Sequence, residues 1–398
     1  GELRVAKVSS DPSDPSNAVM DALDELFGMG ILPGDVASLV HGTTVATNAI
    51  LEGKGVKTGL LITDGFRAVY EARGWARPEA TELIDPFYRK PPLPAPQSLT
   101  HGIPGRIDYQ GAELDPLDED AVRAAATALK ADGVESVAVS YLFSFQNPAH
   151  EQRTAEILAE ESDAWRVSLS SVVLPTIREY PRQSTTVIDA YVGPIMQRYL
   201  ERLSDRLVER GVVTPQVFLM QSNGGLMRIT IGARFPNQTL LSGPAGGVVA
   251  GEELARITGR QEIVTLDMGG TSTDIAMITR GRANETSEGK IAGQDIGTPM
   301  LQVRTLGAGG GTIARIGPDG LLKVGPDSAG ALPGPACYGR GGELPTVTDA
   351  NLVLGALASD NVLGGRMTLD KTAAETAIGT HVAEPLGLTV EEAAAGIL

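Results

Sequence analysis

Polar side chains and glycines are concentrated in one short segment, Asp267–Asp274, which reads DMGGTSTD. Apolar runs flank it, so the sequence predicts a hairpin over Ile263–Ile278. Gly269 and Gly270 allow consecutive backbone N–H groups to line a concavity, since a Cβ would block a ligand or the φ angles required. Such a nest binds phosphate oxygens, and the carboxylate of Asp267 suits Mg²⁺ binding through water or the orientation of a nucleophile. An ordinary hairpin with a Gly-Gly turn is the alternative, but it needs fewer polar groups.

The hairpin supplies most of the candidate site. We expect Asp267 to be catalytic and to hold the metal. The residues expected to contact phosphate are Gly269, Gly270, Thr271, Thr273 and Asp274. Upstream, SGPAGGVVAG (242–251) predicts a helix that has Ser242 as its N-cap and small residues on one face. Gly243 joins the phosphate-contacting set, although tight helix packing alone also explains these small residues.

Two further loops are candidates for the same site. LGAGGGT (306–312) lacks the third glycine of a dinucleotide fingerprint, because Thr312 stands in its place. We therefore interpret it as a phosphate-facing loop with contacts from Gly307, Gly309, Gly310 and Gly311. His41, Thr43 and Thr44 precede a predicted helix whose N-terminal amides suit an anion, and they are candidate catalytic residues. The threonines acting only as N-caps, and a histidine satisfied by local backbone, are the alternatives.

Alternating strands and helices are needed to position these loops. The predicted strands are Val36–Val40, Lys57–Thr63, Ser136–Phe143 and Val217–Gln221, and the predicted helices are Thr44–Leu51, Ala121–Ala131, His150–Glu160 and a long one over Arg182–Arg210. This alternation indicates an α/β fold with a parallel or mixed sheet. Between Ala72 and Gly111 no period is visible, which fits either a proline-stiffened connection or a substrate-facing lid. We place a domain boundary near residue 180, giving domains 1–180 and 181–398.

Composition excludes several classes of function. The 398 residues include 33 Lys and Arg against 49 Asp and Glu, a net charge of −16 that disfavours nucleic-acid or anionic membrane surfaces. A single cysteine, Cys337, excludes a disulfide framework and fits a reducing compartment. No apolar run reaches the length of a membrane span. We therefore expect a cytoplasmic protein without nucleic-acid or membrane partners.

Longer blocks of sequence carry a family resemblance. They are HGTTVATNAILEGKG (41–55), REYPRQSTTVIDAYVGP (178–194), SGPAGGVVAG (242–251), TLDMGGTSTD (265–274) and GPDSAGALPGPACYGRGGELPTVTDANLVLG (325–355). In this order they resemble the hydantoinase A/5-oxoprolinase family. That family lies in the actin-like ATPase superfamily, together with sugar kinases and heat-shock chaperone ATPases.

The resemblance implies actin-like ATPase lobes with mixed sheets flanked by helices, and ATP with Mg²⁺ bound between the lobes at the hairpin. It implies ATP-driven hydrolysis of a cyclic amide (of the hydantoin, N-methylhydantoin or 5-oxoproline type) through phosphorylation of the carbonyl oxygen, with a B-type partner subunit. The first alternative is an ATP-dependent acetone or acetophenone carboxylase subunit. A catalytically silent fragment or actin-like scaffold is another, and a sugar or glycerol kinase is a third.

The chain departs from the family pattern at both ends. The family carries a first phosphate-loop hairpin before the part matched by domain 1–180, and an adenosine-contacting segment after the part matched by domain 181–398. The resemblance therefore implies an internal piece of a longer subunit that lacks both segments. Inactivity of this chain by itself is one of the resulting expectations.

Overall fold

The computed structural model describes residues 2–8, 11, 14–73, 86, 89–360 and 367–398. The chain divides into two compact units. We call one the hairpin unit (Gly1–Ile31, Gly247–Asn284 and Gln302–Leu398) and the other the parallel-sheet unit (Leu32–Gly246 and Glu285–Leu301). Helices and strands occur in both, so the predicted α/β class is confirmed. The division into domains at residue 180 stays a prediction.

The α-helices among the described residues are α1 (Pro15–Gly28), α2 (Val45–Leu51), α3 (Arg67–Glu71), α4 (Glu119–Ala131), α5 (Ala149–Glu161), α6 (Ser170–Val173), α7 (Glu179–Glu209), α8 (Ile229–Arg234), α9 (Ser242–Thr258), α10 (Val347–Val353), α11 (Lys371–Ile378), α12 (Glu384–Leu386) and α13 (Val390–Ile397). Short 3₁₀ turns cover Pro33–Asp35, Gln97–Leu99, Pro236–Thr239 and Ala336–Tyr338, and a π-helical turn covers Gly379–Ala383. No helix in the described part of the chain is both long and apolar enough to cross a bilayer.

The strands are β1 (Leu39–His41), β2 (Thr58–Thr63), β3 (Thr100–Ile103), β4 (Arg106–Ile107), β5 (Glu113–Asp115), β6 (Ser136–Ser140), β7 (Arg166–Leu169), β8 (Val217–Met220), β9 (Leu226–Arg228), β10 (Ile263–Met268), β11 (Thr273–Thr279), β12 (Arg282–Ala283), β13 (Glu285–Thr286), β14 (Gly289–Ile291), β15 (Gln294–Ile296), β16 (Met300–Leu301), β17 (Val303–Leu306), β18 (Thr312–Ile316) and β19 (Leu322–Ser328).

A four-stranded parallel sheet in the order β3-β2-β6-β7 forms the centre of the parallel-sheet unit. Parallel sheets are covered on both faces, and β2 and β6 are accordingly buried at every residue. Leu61 and Val139 belong to a core with α4 and α5. Leu60 and Ile62 belong to a second core that includes Val187 of α7. The alternation of neighbouring residues between two cores follows from the two-residue period of a strand.

Strand β3 lies inside the segment for which the sequence showed no period. Its four residues pair with β2 from Leu60–Thr100 to Thr63–Ile103. A four-residue strand that contains Gly102 is too short and too weakly patterned to be recognised by alternation. Of the proposed lid, residues 74–85, 87 and 88 lie outside the described residues.

A buried polar network fixes the start of helix α7 against the sheet. The guanidinium of Arg182, 1% exposed, donates to the carbonyl oxygens of Tyr141 at 3.0 Å and Thr176 at 2.8 Å. It also donates to the hydroxyl of Ser170 at 3.2 Å, and that hydroxyl donates to the carboxylate of Glu151 at 2.5 Å. The hydroxyl of Ser170 therefore links the guanidinium of Arg182 to the carboxylate of Glu151 inside the unit.

The hairpin unit contains the antiparallel strands β10 and β11, with β17 on the other side of β11. A second antiparallel pair, β18 and β19, lies near a core formed with α10, α11 and α13. Cys337 is fully buried in that core, which agrees with a packing role. Helix α10 begins with a capping box in which Thr346 and Asp349 satisfy each other's backbone N–H groups.

We predict that Arg182→Leu lowers the free energy of unfolding by about 3 kcal/mol, because the carbonyl oxygens of Tyr141 and Thr176 and the hydroxyl of Ser170 lose a charged donor. Urea denaturation measures the effect. Arg198→Leu, on an exposed position of the same helix, is the matched control and is expected to change stability little. Equal midpoints for the two variants would contradict a structural role for the network.

Candidate functional site

The predicted hairpin is present, and its turn is tightly closed. Asp267 pairs with Asp274 and Met268 with Thr273 across the two strands. The N–H of Gly269 donates to the carbonyl oxygen of Ser272 at 2.8 Å. The segment that sequence reasoning placed at a phosphate is therefore a four-residue turn at the end of a regular antiparallel pair.

Two carboxylates lie on one face of the sheet beside this turn. Asp267 and Asp274 are direct cross-strand partners, and such partners share a face. The hydroxyl of Thr305, opposite Asp274 on β17, donates to Asp274 Oδ1 at 2.6 Å. Asp267 is exposed, and within the described ranges no hydrogen bond or ion pair engages its carboxylate. Asp274 is thus held in place, whereas Asp267 is open to a ligand.

The glycine loop, Gly307–Gly311, docks directly on the turn through backbone atoms. The N–H of Gly310 donates to the carbonyl oxygen of Gly269 at 2.9 Å, and the N–H of Gly311 donates to that of Gly270 at 2.6 Å. These two amides are occupied by the hairpin in this structure. They therefore support the turn. The contact of Gly310 and Gly311 with phosphate stays a prediction.

Side chains are excluded from this contact by distance. A Cβ on Gly309 would lie 2.7 Å from the carbonyl oxygen of Gly269 and 2.8 Å from the nitrogen of Ser272. A Cβ on Gly311 would lie 2.8 Å from the carbonyl oxygen of Gly270. By contrast, a Cβ on Gly307 would meet nothing within 4 Å. Glycine is required by close backbone approach at two positions of the loop but not at its first.

Threonine hydroxyls hold the glycine loop in turn. Thr273, which is 3% exposed, donates its hydroxyl to the carbonyl oxygen of Ala308. The hydroxyl of Thr312 accepts from the N–H of Gly309 at 2.7 Å. Thr273 was predicted to contact phosphate, but its hydroxyl faces the loop. Its predicted contact has no support from this geometry.

The outer side of the turn presents groups that are free to meet a ligand. Gly270 and Thr271 are exposed, and a Cβ on Gly270 would face open space. Within the part of the chain that the structure describes, no hydrogen bond engages the N–H groups of Gly270 and Thr271. Among the predicted phosphate contacts, these two residues are accessible, and their contact with phosphate stays a prediction.

His41 lies in the parallel-sheet unit at the end of β1. Its Nε2 is 2.7 Å from the hydroxyl of Tyr199 on α7. Burial lowers the pKa of His41 from 6.5 to about 4, so the imidazole is neutral at neutral pH. Sequence reasoning missed Tyr199, because it is 158 residues away and nothing local distinguishes it from other core tyrosines.

The HGTT loop is tied to the start of helix α9, within the same unit. The N–H of Thr43 donates to Ser242 Oγ at 3.2 Å, and the hydroxyl of Ser242 donates to the carbonyl oxygen of Thr43 at 2.9 Å. The hydroxyl of Thr47 accepts from the N–H of Leu241 at 2.9 Å. Ser242 therefore links two loops and does not serve as the N-cap that the sequence suggested.

Exposure separates the two candidate threonines of this loop. Thr43 is 7% exposed, and its hydroxyl accepts from the N–H of Val45 at 3.2 Å. Thr44 is exposed, and its hydroxyl accepts from the amide of Asn48 at 3.3 Å. A Cβ on Gly243 would lie 3.0 Å from the methyl carbon of Thr44, so Gly243 lies against this loop. Of the two, Thr44 is accessible to a ligand.

The hydantoinase/oxoprolinase family pattern matches residues 182–398, and the pattern of the hydantoinase/oxoprolinase N-terminal region matches residues 1–162. The chain belongs to the hydantoinase/oxoprolinase family. Caprolactamase subunit alpha of Pseudomonas jessenii is 42% identical over 403 residues, covering 100% of this chain and 58% of that subunit.

Solved structures of this family share the fold. The crystal structure of ATP-dependent caprolactamase from Pseudomonas jessenii is 42% identical and gives a TM-score of 0.80, covering 100% of this chain and 58% of that one. The nucleotide-free structure of acetone carboxylase is 32% identical and gives a TM-score of 0.83, covering 98% of this chain and 57% of that one. The family resemblance drawn from the sequence is confirmed. The present chain spans less than two thirds of these relatives.

We predict that Gly309→Ala displaces the hairpin turn, because the new methyl group would overlap backbone atoms of Gly269 and Ser272. The expected result is faster amide hydrogen exchange over residues 267–275 and a lower melting temperature. Gly307→Ala is the matched control from the same loop and is expected to behave like the wild type. Identical exchange in the two variants would show that the close approach does not hold the turn.

We predict that protonation of His41 destabilises the fold in acid. Its folded-state pKa of about 4 lies below the ordinary 6.5. Between these values the unfolded chain binds a proton that the folded chain does not, so stability falls as the pH drops from 6.5 towards 4. The slope is at most about 1.4 kcal/mol per pH unit, and the effect is absent above this window.

Denaturation of the wild type and of His41→Gln across pH 4–8 measures this effect. The difference between the two curves isolates His41 from the carboxylates that titrate nearby in pH. A constant difference across the range would mean that His41 takes up its proton as readily in the fold as in the unfolded chain.

Proposed function

We propose that this chain carries the phosphate-binding part of an ATP-dependent enzyme that phosphorylates the carbonyl oxygen of a cyclic amide. Water then attacks the activated carbonyl carbon, the ring C–N bond breaks, and phosphate is released. The observation that carries the proposal is the hairpin turn. The carbonyl oxygens of Gly269 and Gly270 accept hydrogen bonds from the glycine loop, while the N–H groups of the exposed Gly270 and Thr271 have no hydrogen-bond partner among the described residues. Asp267 lies beside them, exposed and unpaired among the described residues.

Preorganised N–H donors suit a phosphate group. An anion that accepts from backbone N–H groups forms charge-assisted hydrogen bonds, which are shorter and stronger than neutral ones. Because the turn is already closed by the bond from Gly269 to Ser272, the donors need not be reordered when an anion binds. This supports Gly270 and Thr271 as the primary contacts, with Gly269 and Thr273 holding the turn that presents them.

The donor set also fits Mg²⁺ brought by a nucleotide. Mg²⁺ in nucleotide sites keeps several waters and binds through one or two carboxylates together with phosphate oxygens. The exposed carboxylate of Asp267 is suited to that role. Within the described ranges no three His, Cys, Asp or Glu side chains come together as a metal site. We therefore expect tight Mg²⁺ binding only together with the nucleotide.

The proposed substrate class rests on the chemistry of ATP and on sequence identity to known relatives. When bound, ATP would supply a phosphoryl group that makes an unreactive amide carbonyl open to attack. Caprolactamase subunit alpha is 42% identical to this chain, whereas acetone carboxylase is 32% identical. This difference favours a lactam ring. A ketone carboxylase subunit is the second candidate, since it would begin with the same phosphorylation of a carbonyl oxygen.

The HGTT loop is proposed as a further part of the enzyme's chemistry. Neutral His41 has its Nε2 engaged by Tyr199, so we assign it an orienting role through that hydrogen bond. The accessible hydroxyl of Thr44 is the better candidate for a direct contact with the substrate. Thr43, which is buried, is proposed to keep the loop in shape.

Partner and location are part of the same proposal. The caprolactamase relative is named as a subunit, which supports a multi-subunit enzyme here. A B-type partner subunit and a cytoplasmic location are our expectations for the whole protein. The single buried cysteine, Cys337, agrees with a reducing compartment.

We predict that the chain binds Mg-ATP and that Asp267→Asn weakens binding by at least about tenfold, through loss of a carboxylate at the metal. Isothermal calorimetry measures the affinity, with Asp21→Asn, an exposed change on α1, as the control. The full-length protein with its partner is then assayed for ATP hydrolysis with ε-caprolactam, 5-oxoproline, hydantoin and acetone. Equal affinity in wild type and Asp267→Asn would exclude the proposed role, and stimulation by acetone alone would favour the carboxylase.

A further inference from the structure

We propose that Thr348, at the start of helix α10, is a positioning residue for the phosphate-binding turn. It acts through the carbonyl oxygen of Gly310. The inference concerns a residue outside the hairpin and outside the glycine loop, and it rests on the proposed function of the turn. Nothing in the spacing of the sequence motifs connects Thr348 with Asp267–Asp274, which lie more than 70 residues away in the chain.

Thr348 donates two hydrogen bonds to one carbonyl oxygen, that of Gly310. Its backbone N–H and its hydroxyl each donate to the carbonyl oxygen of Gly310 at 2.8 Å. The side chain is 8% exposed, so water competes little for these bonds. The proton of the Thr348 hydroxyl is therefore committed to Gly310 inside the hairpin unit.

Gly310 connects Thr348 directly to the turn. Its carbonyl oxygen is held by Thr348, and its N–H donates to the carbonyl oxygen of Gly269 at 2.9 Å. The next N–H, that of Gly311, holds the carbonyl oxygen of Gly270. A cradle made of glycines has no side chains of its own to restrain it. Thr348 supplies that restraint, one residue removed from the turn.

The helix that carries Thr348 is itself firmly fixed. Asp349, fully buried, accepts from the N–H groups of Cys337 at 2.8 Å, Ala336 at 3.2 Å and Thr346 at 2.9 Å. It also accepts from the hydroxyl of Thr346 at 2.7 Å. Four donors on one carboxylate anchor the first turn of the helix. Thr348 therefore positions Gly310 from a rigid support.

The test compares Thr348→Val, which keeps the shape and removes the hydroxyl, with Thr348→Ser, which keeps the hydroxyl. Thr186→Val on α7 is the matched control, since Thr186 is fully buried and donates its hydroxyl to the carbonyl oxygen of Arg182 at 2.7 Å. Amide hydrogen exchange over residues 267–275 and 305–313 reports the positions of both loops without any ligand. Calorimetry with Mg-ATP reports the binding site.

For Thr348→Val we expect exchange in both segments to rise and Mg-ATP affinity to fall roughly 3- to 10-fold, the effect of losing one hydrogen bond. Thr348→Ser is expected to restore both to within about twofold. Thr186→Val is expected to lower the melting temperature while leaving both readouts unchanged. Unchanged exchange in Thr348→Val, or an equal rise in Thr186→Val, would overturn the inference.

The two proposals fail in different ways. If neither this chain nor the full-length protein binds Mg-ATP but Thr348→Val still loosens both segments, the positioning role stands and the proposed function of the turn fails. If the wild type binds Mg-ATP and Thr348→Val matches it in affinity and exchange, the proposed function stands and the positioning role fails.

Discussion

The contact between two glycine-rich backbones is the constraint on which the candidate site depends. The glycine loop approaches the hairpin turn so closely that a Cβ at Gly309 or Gly311 would overlap backbone atoms. The carbonyl oxygens of Gly269 and Gly270 accept hydrogen bonds from the loop. The N–H groups of Gly270 and Thr271 have no partner among the described residues, so they are left for solvent or a ligand. The polarity of the site therefore follows from a packing requirement.

This arrangement requires support from elsewhere in the hairpin unit, because glycine loses more conformational entropy on folding than other residues. The support comes from elements with ordinary side chains. Thr348 and the capping box of α10 fix the loop, and the core around Cys337 fixes α10. Burial also raises the pKa of the Cys337 thiol, which keeps it protonated and suited to packing. The glycine-rich turn and loop are thus restrained by helix α10 and by the core against which α10 packs.

Local patterns in the sequence predicted much of this architecture. Flanking apolar runs predicted the hairpin, and period-3.6 patterns predicted helices over Ala121–Ala131 and Arg182–Arg210, which the structure has at Glu119–Ala131 and Glu179–Glu209. Local patterns could not predict contacts between residues that are far apart in the sequence. The pairing of His41 with Tyr199 and that of Thr348 with Gly310 depend on tertiary approach, which leaves no local period. The hydrogen bonds that the glycine loop donates to the carbonyl oxygens of Gly269 and Gly270 likewise depend on tertiary approach.

The hydroxyl groups in the motifs have a structural use in addition to any contact with a ligand. In both units, the buried threonines and serines of the glycine-rich segments hold backbone groups of a neighbouring loop, as Ser242 and Thr273 do. A motif needs these residues to keep its shape, so their presence beside glycine does not indicate contact with a ligand. Among the predicted site residues, Thr44 in the parallel-sheet unit and Asp267 and Thr271 in the hairpin unit are exposed, and their roles stay predictions. Where a binding loop consists mainly of backbone, we expect few exposed side chains and a larger number of buried side chains that hold the loop in shape.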